Sequence, residues 1–411
     1  MVVPVELREI RRNNLSGVLH ALAWAGPLSR ADLARTTGIS AGTVTSLVDE
    51  LTAAGLVEET GELGRNTGSG RPRRLLDLAA ARAGLAVASV GRERITVKAL
   101  DLRAQTLVET LLDPPTGTPT PQQLATTLGA VLRDLWRGHP DLPPLTHVVV
   151  TLPATIDNRN GTVSSSLDYG WSTPVDLAAL LAAEFESATV SIHSDSRAGA
   201  IAEHAELLTD LPSEQVRDLI YLKADSSVGG AVISGGHVLS GATGLAGTVE
   251  HIPIDFDGRP CSCGGRGCLA TYIGPEHLFG TATTDDGPRI TAAIEQFFDR
   301  LTAGEPAARA LADGVTHPFA AGILAAVAAY DPQWIVLSGY LARLWQVIGP
   351  DVLDELDARV RRSPVPLRAL RGIVIGRLGA EAVALGAARI AQDEVLRDVD
   401  RFTADRMSDT P

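Results

Sequence analysis

All three cysteines of this 411-residue chain, Cys261, Cys263 and Cys268, fall in the single run CSCGGRGC, and His251 lies shortly before them. Three thiolates and one imidazole are the donor set that suits a tetrahedral Zn²⁺. Gly264, Gly265 and Gly267 permit the tight turns that bring such closely spaced ligands onto one ion. Two other readings are buried free thiols and a disulfide. No cysteine lies elsewhere, the count is odd and nothing marks the chain as secreted, so both explain the cluster less well. Four filled positions leave none for water, so the expected zinc is structural, held by His251, Cys261, Cys263 and Cys268.

The length accommodates two or three domains, and a hydrophobic content of 45% supports sizeable cores. Apolar runs such as AGILAAVAAY are too short to cross a bilayer, and the opening MVVPVELREIRRNN lacks the features of a signal peptide. The expectation is a soluble cytoplasmic protein without a membrane partner. The net charge of −13 is uneven: residues 1–80 hold nine arginines and nine acidic residues, so the whole acidic excess lies in the remainder. A chain this acidic binds nucleic acid only through a confined module.

Residues 1–80 supply one. The segment LSRADLARTTGISAGTVTSLVDELTAAGLV reads as a helix-turn-helix. Ser29 is an N-cap with Asp32 as its capping-box partner, Gly38 supplies a left-handed turn, and Ser40 caps the second helix. Val44, Leu47, Val48 and Leu51 form the buried stripe of that helix. Ser40, Gly42, Thr43, Thr45 and Ser46 are left on the outer, N-terminal surface, which in this motif faces the major groove of double-stranded DNA. An earlier helix near Arg8–Trp24 completes a three-helix core through Leu15, Val18, Leu19 and Leu22. Two short strands after Gly55 make a wing carrying Arg71, Arg73 and Arg74, a side-chain type suited to phosphates and a narrow minor groove. The outer face of the second helix carries no Arg, Asn or Gln, which shifts the burden of DNA contact toward the wing. The alternative is a helical hairpin used for protein contact.

From about Gly84 onward, strands (LAVASVG, ITVKALDL, THVVVTLP, TVSIHSD, DLIYLKA, GGAVISGG, WIVLSG) alternate with helices near 121–136, 175–184, 197–208, 318–330 and 379–395. This alternation is an α/β pattern. The polar end DRFTADRMSDTP reads as a frayed tail.

The order of these pieces resembles the ROK family, which groups bacterial sugar-responsive repressors with sugar kinases. The resemblance rests on GTVEH (247–251) with CSCGGRGCLA (261–270), on the TLPATID…NGTV…GW run, on IHSDSRAGAIAEH, and on IVLSGYL and GAEAVALGAARIA. With the winged helix in front, the chain is similar to the repressor branch. The resemblance implies a two-lobed actin-like (ribonuclease H-like) body. The expected organisation is 1–80 winged helix-turn-helix, 81–200 first lobe, 201–395 second lobe with the zinc site, and 396–411 flexible tail. It also implies a homo-oligomer, dimer or tetramer, and a small sugar or sugar-derivative effector bound between the lobes by Ser194, Asp195, Arg197, Thr248, Glu250 and His251.

The chain departs from the family at informative places. The kinases' Asp-x-Gly-Gly-Thr phosphate loop is ASVGRERI here, and their Gly-Thr-Gly-x-Gly loop is DSSVG, with Asp225 where phosphates would sit. No ATP is expected to bind, and no catalysis is expected. Asp195 stands at the position of the kinases' general base. Thr248 and Ala270 replace two family carboxylates, while Glu250 replaces a glycine. Whether Glu250 reaches the cleft is open in the sequence. So is whether Arg197 favours an acidic or phosphorylated ligand or forms a surface salt bridge. The expected function is a DNA-binding regulator, a repressor of carbohydrate genes under effector control. The alternatives are a sugar kinase with a DNA-binding head and a regulator whose cleft senses nothing.

Overall fold

The computed structural model describes residues 7–64, 73–114, 117–157, 160–281, 287–360 and 370–403. The head comprises α1 (Leu7–Ala25), α2 (Arg30–Thr37), α3 (Ala41–Ala53) and the antiparallel pair β1 (Val57–Gly64) and β2 (Arg73–Leu78). Its local chemistry is as the residues dictate. Ser29 and Asp32 close a reciprocal capping box, Gly38 ends α2 at φ 71°, and Ser40 accepts the Thr43 N–H at the start of α3. The apolar stripes of α1 and α3 are buried against one another.

The body holds two five-stranded sheets of the same strand order. In the first, β3 (Gly84–Val90), β4 (Ile95–Leu100) and β5 (Thr106–Leu112) form an antiparallel meander, and β6 (Leu145–Leu152) and β9 (Thr189–Ser194) extend it in parallel from β3. Helices α4 (Pro121–Gly138) and α5 (Leu177–Ala182) and the small hairpin β7 (Thr155–Asp157)–β8 (Thr162–Ser165) complete this lobe. The helix α6 (Asp195–Asp210) leads out of it. The second sheet repeats the order with β12 (His237–Val238), β11 (Val228–Ser234), β10 (Leu219–Ala224), β13 (Trp334–Gly339) and β14 (Gly372–Ile375). Around it lie α7 (Ala270–Ile273), α8 (Pro275–Phe279), α9 (Gly287–Thr302), α10 (Pro306–Tyr330) and α11 (Tyr340–Val360). A meander extended by two parallel strands, made twice, is the actin-like pattern, and it leaves a cleft between the lobes.

Three features differ from the sequence reading. First, α12 (Ala382–Arg397) does not belong to the second lobe: it lies on β3, β6 and α6. Its small residues allow the approach. A Cβ on Gly386 would lie 1.8 Å from the Ala198 carbonyl oxygen, so α6 and α12 cross nearly backbone to backbone. Second, the chain does not fray at 396. Helix α12 runs to Arg397 and α13 (Val399–Thr403) follows, with Leu396, Val399 and Phe402 buried. Their near-helical spacing, set among charged residues, marks one apolar stripe that a polarity reading overlooks. Residues 404–411 lie outside the described set. Third, α10 starts at Pro306, not Pro318. Pro318 forfeits one backbone hydrogen bond, yet Ala308, Ala312 and Val315 before it and Phe319 and Ile323 after it are buried in one core, and that packing holds the helix through it. By length and composition α10 could span a bilayer; here its apolar stripe forms the centre of the second lobe.

Head and body share a single core. Leu15, Leu19, Leu22 and Leu76 belong to the same buried cluster as Leu85, Val149, Ala387, Ile390 and Phe402. Arg103, from the β4–β5 turn, reaches the wing, bonding Glu58 at 2.8 Å, Asp77 at 3.0 Å and the Leu78 carbonyl at 2.7 Å.

The α6–α12 crossing can be tested with two glycines. Gly386→Ala should lower the unfolding free energy measured by urea denaturation by about 1–3 kcal/mol, the range for overpacking. Gly314→Ala, on an exposed helical position with nothing near its Cβ, should raise stability by about 0.5–1 kcal/mol. Equal effects from both would refute the close crossing.

Candidate functional site

A cavity of about 490 Å³ opens between the lobes. It is lined by all six expected effector residues, Ser194, Asp195, Arg197, Thr248, Glu250 and His251. Their roles divide. The Ser194 hydroxyl caps α6 by accepting the Arg197 N–H at 3.2 Å, and the Thr248 hydroxyl donates to the Leu245 carbonyl at 3.0 Å. Among the described residues Arg197 forms no salt bridge: its Nη1 donates to Ser240 at 3.0 Å, and its Nε is buried without a partner there.

Asp195 opens α6, and Lys223 on β10 bonds its Oδ2 at 2.7 Å. The same ammonium lies 2.9 Å from Asp225. Burial alone would raise the Asp195 pKa, but Lys223 outweighs it and holds it below the ordinary carboxylate value. Burial would depress Lys223, yet the two aspartates keep its pKa well above normal. This pair joins the lobes and occupies the carboxylate that would otherwise serve as a base. The only sign of Lys223 in the sequence is a single cation inside the apolar strand DLIYLKA.

Two further carboxylates face the cavity. Glu250 does reach it. It is 7% exposed, it packs over Gly230, and its Oε2 has no hydrogen-bond partner. Burial pushes its pKa up to about 8. Asp168, which the sequence reading did not select, is 2% exposed and accepts the Ser226 hydroxyl at 2.6 Å across the lobes. Burial, reinforced by the charge of Asp195, pushes it up to about 6, with the serine bonds opposing. Its burial comes from the turn that packs Tyr169 and Trp171 inward, which local sequence does not display.

One wall of the cavity is a candidate metal centre. The ligand atoms of His251, Cys261, Cys263 and Cys268 all lie within 4.8 Å of one another. With bonds of about 2.3 Å to sulfur and about 2.05 Å to nitrogen, a tetrahedral ion sets two sulfurs about 3.8 Å apart, and sulfur and nitrogen about 3.6 Å apart. The Cys263–Cys268 sulfurs are 3.7 Å apart, and Cys261 Sγ lies 3.6 Å from His251 Nδ1. The four residues fit a metal ion. Gly267 is required there: at φ 62° its Cβ would lie 1.5 Å from the Asp255 carbonyl oxygen. Burial lowers the His251 pKa, keeping the neutral imidazole that a ligand must be.

On the head, Ser40, Gly42, Thr43, Thr45 and Ser46 are exposed along the first turns of α3. The acids beside them are neutralised, Asp49 by Arg30 at 3.0 Å and Glu50 by Arg11. Arg73 and Arg74 are exposed on β2, with Arg74 on Glu59, and Arg71 lies outside the described residues.

Cleft and head meet at α12. Glu394 accepts from Ser191 at 2.8 Å and from His193 at 3.0 Å, on the strand that leads into Asp195. Its neighbour Asp393 holds His20 of α1 at 2.8 Å, and Arg389 stacks on Trp24. Both ring nitrogens of His20 face oxygens, Nδ1 lying 2.7 Å from the Ser16 carbonyl. Burial opposes a charged ring, but these two partners outweigh it and raise the pKa above 6.5.

A winged helix rooted on a two-lobed actin-like body with a Cys₃His cluster defines a class of proteins. The ROK family profile matches residues 86–394, and the chain belongs to that family. A MarR family profile matches residues 16–65, the helix-turn-helix. The chain is 24% identical to the DNA-binding transcriptional repressor Mlc of Escherichia coli over 86% of this chain and 87% of that protein. It is 23% identical to the xylose repressor of Bacillus spizizenii over 94% and 97%. Among solved structures, a ROK family transcriptional regulator homologous to Mlc superposes with a TM-score of 0.75 at 21% identity, covering 96% of this chain and 99% of that one.

His20 carries a pH test. Its folded-state pKa lies above the unfolded value of 6.5, so its stabilising contribution is complete below that pH and fades as pH rises through the raised value. The stability difference between the wild type and His20→Gln, followed by urea denaturation across this range, should shrink as pH increases. A difference independent of pH would contradict the assignment.

Proposed function

We propose that the protein is a cytoplasmic DNA-binding transcriptional regulator, a repressor of carbohydrate-metabolism genes, controlled by a small sugar-like effector in the interlobe cleft. The observation that carries this reading is the rooting of the winged helix on α12, whose Asp393 holds the head while Glu394 holds the strand leading to Asp195. An effector that shifts the cleft thereby moves the head, and a coupling of about 1–3 kcal/mol suffices. The repressors named above support the same reading.

Double-stranded operator DNA would meet Ser40, Gly42, Thr43, Thr45 and Ser46 of α3, with Arg71, Arg73 and Arg74 on the wing. Two heads on a palindrome require a homo-oligomer, dimer or tetramer. A structural Zn²⁺ would sit on His251, Cys261, Cys263 and Cys268 and brace the loop that carries Thr248 and Glu250. The ion pairing of Asp195 and Asp225 by Lys223 favours a regulator over an ATP-dependent kinase.

The test is a gel shift of metal-loaded protein on its own upstream DNA at fixed salt, with and without sugars. Specific binding altered by one sugar supports the reading; no specific binding overturns it. Arg73→Ala should weaken binding across all operator variants alike and reduce the salt slope by about 1. Cys263→Ser should lose stoichiometric zinc, measured by elemental analysis, and lower the melting temperature. A zinc-free variant with unchanged melting would remove the structural role.

A further inference from the structure

The three cysteines of the candidate metal centre are not equally placed. Cys268 is 3% exposed and held from behind, where it bridges to Pro253. Cys263 is exposed on the loop. Cys261 is half-buried, with its sulfur against the imidazole of His251 at 3.6 Å. The outer sulfur of Cys263 and the inner sulfur of Cys268 face each other at 3.7 Å. A disulfide holds its sulfurs at about 2.05 Å, so this pair is within roughly 1.7 Å of closing. The four residues between them are Gly264, Gly265, Arg266 and Gly267. A Cβ on Gly265 would press on both sulfurs, at 3.4 Å and 3.7 Å; with only hydrogen there, the pair is free to approach. An accessible sulfur backed by a second one at contact distance is the arrangement in which one thiol is oxidised and the other resolves it.

We propose that Cys263 and Cys268 are a peroxide-oxidised pair whose closure into a disulfide expels the zinc and unfastens His251 from the loop. This rests on the structural-zinc reading above and adds a chemistry to the same site. The Cys263 sulfur attacks hydrogen peroxide: an S–O bond forms, the O–O bond breaks, and a sulfenic acid and hydroxide result. The Cys268 sulfur then attacks Cys263 Sγ: the S–S bond forms, the S–O bond breaks, and a second hydroxide leaves. The two sulfurs together lose two electrons and the peroxide gains them, ending as two waters after two protons arrive from solvent. A disulfide offers no thiolate, and His251 and Cys261 alone do not complete a four-coordinate site, so the ion is released. His251 ends the short turn Val249–His251, whose Val249 packs on Gly230 of β11, and this turn borders the cleft. Oxidation thereby removes a brace from the cleft wall.

The test treats full-length, zinc-loaded protein, freed of excess metal, with hydrogen peroxide. Released zinc is followed with the chromogenic chelator pyridylazoresorcinol, and disulfides are located by peptide mass mapping after alkylation. Peroxide should release about one zinc per chain, join Cys263 to Cys268 and lower the melting temperature. Dithiothreitol with fresh zinc should restore all three. In Cys268→Ser the sulfenic acid has lost its resolving partner, so dimedone should label Cys263. If that variant does not fold, the wild-type mapping still decides. Zinc retained under peroxide, release without a disulfide, or a disulfide through Cys261 overturns the proposal. Elemental analysis before treatment separates the two readings. A protein that holds zinc and keeps it under peroxide sinks this inference alone, whereas one that takes up no zinc sinks the structural-metal reading with it.

Discussion

The crossing of α6 and α12 is the contact on which the other parts depend. Gly386 lies so close to the backbone of Ala198 that no side chain fits between the helices. That spacing seats α12 on the first sheet, and α12 in turn receives α1 of the head. Helix α6 begins at Asp195 in the cleft, so this cleft carboxylate and the winged-helix head are anchored to two helices in direct contact. The buried cluster running from Leu15 through Leu85 to Phe402 makes this a shared core, not a tether. Movement of the head relative to the first lobe would disrupt that core, so the head follows the lobe.

The cleft is dominated by electrostatics in a confined volume. Lys223 compensates Asp195 and Asp225 and ties the second lobe to the first. Removing one member of such a buried pair leaves an uncompensated charge, a loss of about 3–5 kcal/mol. Among the described residues Glu250 and Asp168 form no salt bridge, and burial pushes both toward their neutral forms, with Lys223 opposing weakly at Asp168. The cysteine cluster borders the same cavity, and His251, next to Glu250, belongs to the four residues that could hold a metal ion there.

Much of the molecule was legible from short-range pattern. The caps Ser29 and Ser40, the turn at Gly38 and the stripe Val44–Leu51 are local features, and the structure places each as read. The seven strands read from apolar runs are all present, whereas β5 escaped notice because its residues are largely exposed at a sheet edge. Helices α9 and α11 also escaped, as did the true start of α10 behind Pro318, because packing held helix where local signals were mixed. The cysteine cluster was legible because its ligands lie close together along the chain.

The sequence by itself determined most strands of the two large sheets, the helix-turn-helix, the clustering of Cys261, Cys263 and Cys268 near His251 and the acidic character of the body, because each depends on residues near one another in the chain or on composition alone. Only the tertiary structure decided that α12 returns to the first lobe, that residues 396–403 are buried, that Lys223 neutralises Asp195, and that Asp168 and Glu250 face one cavity. These are questions of burial and pairing between distant segments. Burial sets whether a carboxylate is a solvated charge or a binding group, and it is fixed by the packing of the whole chain.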